Sequence, residues 1–213
     1  TIGKIGQFCR IPDIADLTND EVWVVRNEAL KLIRKQTESL LVRCSPESAR
    51  RLVSLLVDSP GELHAIIVDA LSRIGPQIKP FLREVLKNGG HQTKAAMAFI
   101  LGRMHDRESV PILIAQLHSP DKEIRKNAVE ALGQIGDNRS IAALVDKFGD
   151  SNRDIQQAAV SAIAKIGKAA LRELHETLHY SSRKTIKQHV LFALAKIRDA
   201  SSIPYFIDNL GST

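Results

Sequence analysis

Residues 110–136 read VPILIAQLHSPDKEIRKNAVEALGQIG, and this stretch decides the fold. A first helix, from about Ser109 to His118, opens on Val110-Pro111. Proline suits a helix's first turn, where its missing N–H has no partner to lose. Ser119-Pro120-Asp121 reads as a turn. From about Lys122 to Ile135 apolar residues return at helical spacing, and Gly136 stands where a helix stops. The unit is a pair of helices, A then B.

The end of helix B recurs along the chain. Ala131-Leu132-Gly133-Gln134-Ile135-Gly136 returns as Ala162-Ile163-Ala164-Lys165-Ile166-Gly167 and as Ala193-Leu194-Ala195-Lys196-Ile197-Arg198. Earlier copies are Ala70-Leu71-Ser72-Arg73-Ile74-Gly75 and Ile100-Leu101-Gly102-Arg103-Met104-His105. Their closing apolar residues, at 74, 104, 135, 166 and 197, are 30 or 31 residues apart. The start of helix A recurs too: Val110-Pro111-Ile112-Leu113 matches Ile203-Pro204-Tyr205-Phe206, with Pro80-Phe81-Leu82 and Ile11-Pro12-Asp13-Ile14 before them. Asp106, Asp137 and Asp199 share a register suited to helix N-caps, which Lys168 breaks.

Columns read at this period separate core from surface. Thr93/Ile124/Ile155/Ile186, Leu101/Leu132/Ile163/Leu194 and Met104/Ile135/Ile166/Ile197 fall on one stripe of a helix. Gly102/Gly133/Ala164/Ala195 is a column of small residues, which lets helices of neighbouring units approach closely. A single pair cannot bury its stripe, but stacked pairs share a continuous core. The expectation is one all-α solenoid over residues 1–213, of about six pairs at roughly 7–44, 45–75, 76–105, 106–136, 137–167 and 168–198. Partial units fill 1–6 and 199–213. The first pair is the least regular, with a B helix running past Ile33 towards Val42. The chain begins Thr1-Ile2-Gly3, without an initiator Met, and is expected to be a piece of a longer protein.

Composition agrees. Apolar residues make up 44% of the 213 but aromatics only 4%, so the core must be Leu, Ile, Val and Ala, a mix that favours helices over sheets. Cys9 and Cys44 are too few for a disulfide framework and lack metal-ligand spacing, so a reduced, cytoplasmic setting is expected. No apolar run approaches the roughly 18–20 residues of a membrane span.

The repeat resembles the short HEAT repeats of the PBS-lyase HEAT-like type, over nearly the whole chain. The resemblance implies a right-handed α-α superhelix whose B helices line a concave binding face. It implies no single activity, since that superfamily spans scaffolds, adaptors, bilin lyases, a hydroxylase and DNA-repair proteins, and function must come from the side chains.

Four columns lie opposite the core stripe of helix B: Gln92/Glu123/Asp154/Thr185, Ala96/Asn127/Ala158/His189, Phe99/Glu130/Ser161/Phe192 and Arg103/Gln134/Lys165/Lys196. Arg73 and Lys4 continue the last column, and Ile66 aligns with Ala96. The cations form a ladder for an acidic partner, although the helix dipole alone also favours them there. Phe99 and Phe192 interrupt a polar column and are candidate anchors. The expected partner-binding set is Arg73, Phe99, Arg103, Asn127, Glu130, Gln134, Lys165, His189, Phe192 and Lys196. Between Lys165 and Arg198 eight cations stand against two acids, which equals the whole net charge of +6. Such a stretch can steer nucleic acid or an anionic surface.

His175-Glu176-Thr177-Leu178-His179 spells the H-E-x-x-H zincin pattern. Its register puts His175 where Val145 and Ile114 sit on helix A, and residues 180–213 hold no Glu for a third ligand. Ser182 and Thr185 stand where the metzincin extension needs Gly and His. The hydroxylase of this superfamily uses several His-Glu pairs, and this chain has one. Trp23 with Arg26 nearby is a faint trace of the glycosylases. No residue set carries bilin-lyase chemistry. The expectation is a non-enzymatic scaffold that binds a protein partner on its B-helix face, without catalytic residues, metal or cofactor. Nucleic-acid or anionic-surface binding through the basic C-terminal repeats is the alternative, and a HEAT-type enzyme such as a bilin lyase the second.

Overall fold

The computed structural model describes residues 27–29, 31–32, 35, 46–56 and 61–210. The partial unit 1–6, most of the first expected pair, Lys4, Trp23, Arg26 and both cysteines lie outside them. Among the described residues the regular elements are α1 (Pro46–Leu56), α2 (Gly61–Arg73), α3 (Lys79–Asn88), α4 (His91–Arg103), α5 (Val110–Gln116), α6 (Lys122–Ile135), α7 (Ile141–Asp146), α8 (Arg153–Ile166), α9 (Leu171–Tyr180), α10 (Lys184–Ile197) and α11 (Ile203–Leu210), with short 3-10 turns between them. The chain divides into two compact units, Thr1–Ile100 and Leu101–Thr213.

In the first unit α1 packs on α2. Leu63, Ile67 and Leu71 of α2 recur every fourth residue, as do Leu82 and Leu86 of α3, and all are buried. Side chains four apart share one helix face, so each helix turns a single aliphatic stripe inward.

The second unit is two layers of helices. α6, α8 and α10 pack side by side as a B layer; α5, α7 and α9 pair with them in turn, and α7 packs on α9. Leu132, Ile163 and Leu194 of the B layer, Leu113 of α5, Leu144 of α7 and Leu174 of α9 have no exposed surface. Fully burying each such side chain contributes about 1.5–3 kcal/mol. The small-residue column holds where a neighbouring B helix follows: a Cβ on Gly133 would lie 2.7 Å from the Ala162 Cα, and one on Gly102 2.9 Å from the Ala131 Cα. Ala195 departs from the column and is exposed. The closing stripe Met104/Ile135/Ile166/Ile197 is also less buried than its periodicity suggests. Only Ile135 is buried, because the last turn of a B helix sits at the edge of its layer.

The turns have local causes. Asp121 caps α6 by accepting from the N–H of Glu123 at 2.7 Å and of Ile124 at 3.2 Å, and Asn152 caps α8 in the same way. Gly136 ends α6 in the left-handed region at φ 69°. Asp137 and Asp199 cap the 3-10 turns before α7 and α11, while Asp106 makes no side-chain cap. Ser109 and Ser140 are wholly buried, and each donates its hydroxyl to the carbonyl three residues back. Ala170 takes that place before α9, so Gly167 rather than Lys168 occupies the register of Asp137. The link after α8 is one residue shorter, and Lys168 instead reaches Asp199 at 2.9 Å.

A shielded tie joins the α5–α6 pair to the α7–α8 pair. Arg125 of α6 grips Asp150, in the turn before α8, through two hydrogen bonds of 3.0 and 3.1 Å, and donates to the carbonyls of Ser119 and Pro120. The two side chains are only 12% and 5% exposed, so the pair is shielded from solvent. Burial raises the Asp150 carboxyl, but the Arg125 bridge and the Asn152 amide outweigh it and hold the group below the usual carboxylate range.

Candidate functional site

The outer surface of the B layer is where side chains remain free of the core. Between α6 and α8 it opens as a groove of about 380 Å³, lined by Lys126, Glu130 and Gln134 of α6 and by Asp154, Ser161 and Lys165 of α8, among others. Small residues below let the two backbones meet closely, so the longer side chains above them diverge and leave this space. Three residues of the expected set, Glu130, Gln134 and Lys165, are brought together here. Neither Glu130 nor Lys165 makes an ion pair among the described residues. The buried Oε1 of Gln134 has no hydrogen-bond partner among them either.

The next helix extends this surface. Lys196 of α10 donates to the Ser161 hydroxyl at 3.2 Å, which ties the basic column of α10 to the groove. Phe192, one turn earlier on the same face, is 59% exposed. His189 is half-buried: its Nδ1 meets the Thr185 carbonyl at 2.8 Å, and its ring centroid lies 6.1 Å from that of the buried Phe148. Asn127 donates to the Glu123 carbonyl of its own helix.

The remaining members lie elsewhere. Arg103 is exposed in the last turn of α4. In the first unit Phe99 is 37% exposed, and Arg73 lies 3.6 Å from Asp69 of its own helix. Ile66 and Ala96, which align in the columns opposite the core, offer no apolar surface, since Ala96 is buried and Ile66 half-buried. Sequence columns missed Lys126 as a groove residue, because it stands one position off the columns opposite the core.

The basic stretch from Lys165 to Arg198 does not form one surface. Lys168 pairs with Asp199 and Arg172 with Glu176, away from the groove. Hydrogen bonds from Ser201 and Lys168 hold the Asp199 carboxyl well below its ordinary value. His175 and His179 of the H-E-x-x-H run have other roles. The His175 ring stacks on Tyr205 with centroids 4.0 Å apart, and its Nε2 lies 3.2 Å from the Ser202 hydroxyl. The His179 ring meets Tyr180 edge-on. Burial pushes the His175 imidazole below its ordinary value, opposed by the charge of Asp199.

Comparisons with known proteins agree with this architecture. Residues 79–164 match the family model for HEAT repeats. Comparison of the sequence with curated proteins gives no match. Among solved structures, the complex of CpcE and CpcF of phycocyanin lyase from a Nostoc strain is 16% identical over 70% of this chain and 99% of that one, with a TM-score of 0.56. YibA of E. coli is 15% identical over 97% of this chain and 78% of that one, with a TM-score of 0.53. An engineered protein is 20% identical over 93% and 61%, with a TM-score of 0.52. The fold of the described residues is an all-helical repeat solenoid, and the HEAT-repeat model matches it over residues 79–164.

Proposed function

We propose that this chain is a non-enzymatic protein-binding module whose partner lies across the outer face of α6, α8 and α10. The observation that carries the reading is the contrast between the two sides of that layer. The inner side is filled by aliphatic side chains, while the outer side holds an open groove with charges of both signs and, on α10, the exposed ring of Phe192. A large apolar side chain beside polar groups is the arrangement of an interface anchor. The reading also fits His175, whose ring is engaged by Tyr205 and Ser202.

The same fold occurs in the phycocyanin lyase complex, but a likeness of fold carries no chemistry to this chain. Nucleic acid is the weaker alternative. Glu130 and Asp154 line the groove beside Lys126 and Lys165, and they would face a phosphate backbone of uniform sign.

The test is affinity capture from lysate of the source organism, with and without nuclease, by the wild-type chain and by the combined variant Phe192→Ala, Lys165→Glu, Lys196→Glu. A discrete protein retained by the wild type under both conditions and lost by the variant, whose far-UV helical signal is unchanged, is the expected result. Capture that survives all three substitutions overturns the assignment of the face.

A further inference from the structure

We infer that the segment bound on this face is an extended, acidic stretch of the partner, with carboxylates about three residues apart that meet Lys165 and Lys196. The inference rests on the protein-binding reading and adds the chemistry and spacing of what is bound.

Lys165 and Lys196 close the last turns of α8 and α10, successive members of one layer. They share a place in the repeat, so a line joining them crosses the helices rather than following one. Lys196 reaches back to Ser161, and Ser161 and Lys165 line the same groove, which places both ammonium groups on one side of the layer. Packed helices lie about 8–10 Å apart. A polyproline-II chain, extended with three residues per turn, advances about 3.1 Å per residue, so carboxylates three residues apart project to one side about 9 Å apart and fall opposite successive lysines. A helical segment advances only about 1.5 Å per residue and would need a longer interval.

Charge and shape limit the occupant further. Lys165 has no carboxylate partner among the described residues, although Glu130 lines the same groove, so its charge is available to a ligand. Phe192, a turn before Lys196, offers an apolar surface beside the second cation. The groove also carries acids, Asp154 in the first turn of α8 and Glu130 one turn before Gln134 on α6. A peptide can place neutral or basic residues there, whereas a polyphosphate chain cannot change sign along its length.

The test is fluorescence anisotropy of the full chain with labelled peptides and a single-stranded oligonucleotide. One peptide carries Glu at every third position with Pro between, which holds it extended. A second has the same composition with its Glu residues contiguous at one end, and a third replaces Glu by Lys. The spaced acidic peptide is expected to bind best, with Lys165→Glu and Lys196→Glu each weakening it about fivefold. Lys122→Glu makes the same change of net charge at the exposed start of α6 and is expected to leave binding within about twofold, as for a rim charge. Equal binding of spaced and contiguous peptides, equal loss with Lys122→Glu, or tighter binding of the oligonucleotide overturns the inference. Failure of the spaced peptide to bind also overturns it. The protein-binding reading still stands if nuclease-resistant lysate capture depends on Phe192 and the two lysines, and falls if that capture ignores them or is lost with nuclease.

Discussion

Gly133→Ala separates helix propensity from interhelical packing by the sign of its effect. Alanine favours a helix interior over glycine by about 1 kcal/mol, so propensity alone predicts a more stable protein. The structure predicts the reverse. The new Cβ would lie 2.6 Å from the Ala162 Cβ and 2.7 Å from the Ala162 Cα, whereas ordinary contact begins at 3.4 Å. The obstacle is main chain and cannot rotate aside, so α6 and α8 must part by roughly 0.7 Å. Overpacking costs about 1–3 kcal/mol, and a backbone clash in a buried layer falls at the upper end. Subtracting the propensity gain leaves a loss of about 2 kcal/mol, or roughly 4–8 °C in Tm for a chain of this size. Urea unfolding and thermal circular dichroism measure both. Gly61→Ala serves as reference, because its Cβ would meet nothing within 4 Å, and it should show no loss. A Gly133→Ala protein as stable as wild type would refute the close approach of α6 and α8.

Four further outcomes are expected. Asp150→Asn removes one partner of the shielded bridge to Arg125 and should cost about 2–3 kcal/mol in urea unfolding, whereas Asp137→Asn, whose partner Arg139 is exposed, should cost under about 1 kcal/mol. Hydrogen bonds with Arg139 lower the Asp137 carboxyl from 3.8 to about 2, and Asp150 and Asp199 are also lowered. In that window the unfolded chain binds more protons, so their stabilisation is complete above about pH 4 and lost as pH falls towards 2, and Asp150→Asn should flatten the acid limb of a Tm profile. Burial holds His175 below its ordinary 6.5, so stability should decline as pH falls below that value, and His175→Phe should flatten the onset of that decline. Phe192→Ala with Lys196→Glu should change stability by less than about 0.5 kcal/mol each, since both side chains are exposed.

The fold was legible because its determinants repeat. Gly133 and Gly102 stand in one column and make the same approach to the next helix, and Asp121 and Gly136 bound α6 where turn chemistry places them. Features made once per chain left no periodic trace. Arg125 aligns with Gln156 and Lys187, and Asp150 with Ser119 and Ser181, so no column announced their bridge. The stacking of His175 on Tyr205 left no column, since His175 stands where Val145 and Ile114 sit and Tyr205 where Ile112 and Phe81 sit. The shorter link at Gly167 shifted the cap register by one, which a fixed period cannot follow. For the candidate face, periodicity identified Glu130, Gln134 and Lys165, but not that Lys126 joins them or that Ala96 is buried. Burial depends on the lengths of neighbouring side chains, which a wheel does not contain.

On the proposed function, the partner is a protein and touches the outer face of the B layer. Photocrosslinking in cells tests it directly, with a photoreactive amino acid placed once at Ser161 in the groove and once at Ala142, exposed on α7. A discrete, nuclease-resistant protein adduct from position 161 and none from 142 is the predicted result. An adduct from 142 alone, or one from 161 that nuclease removes, would contradict it.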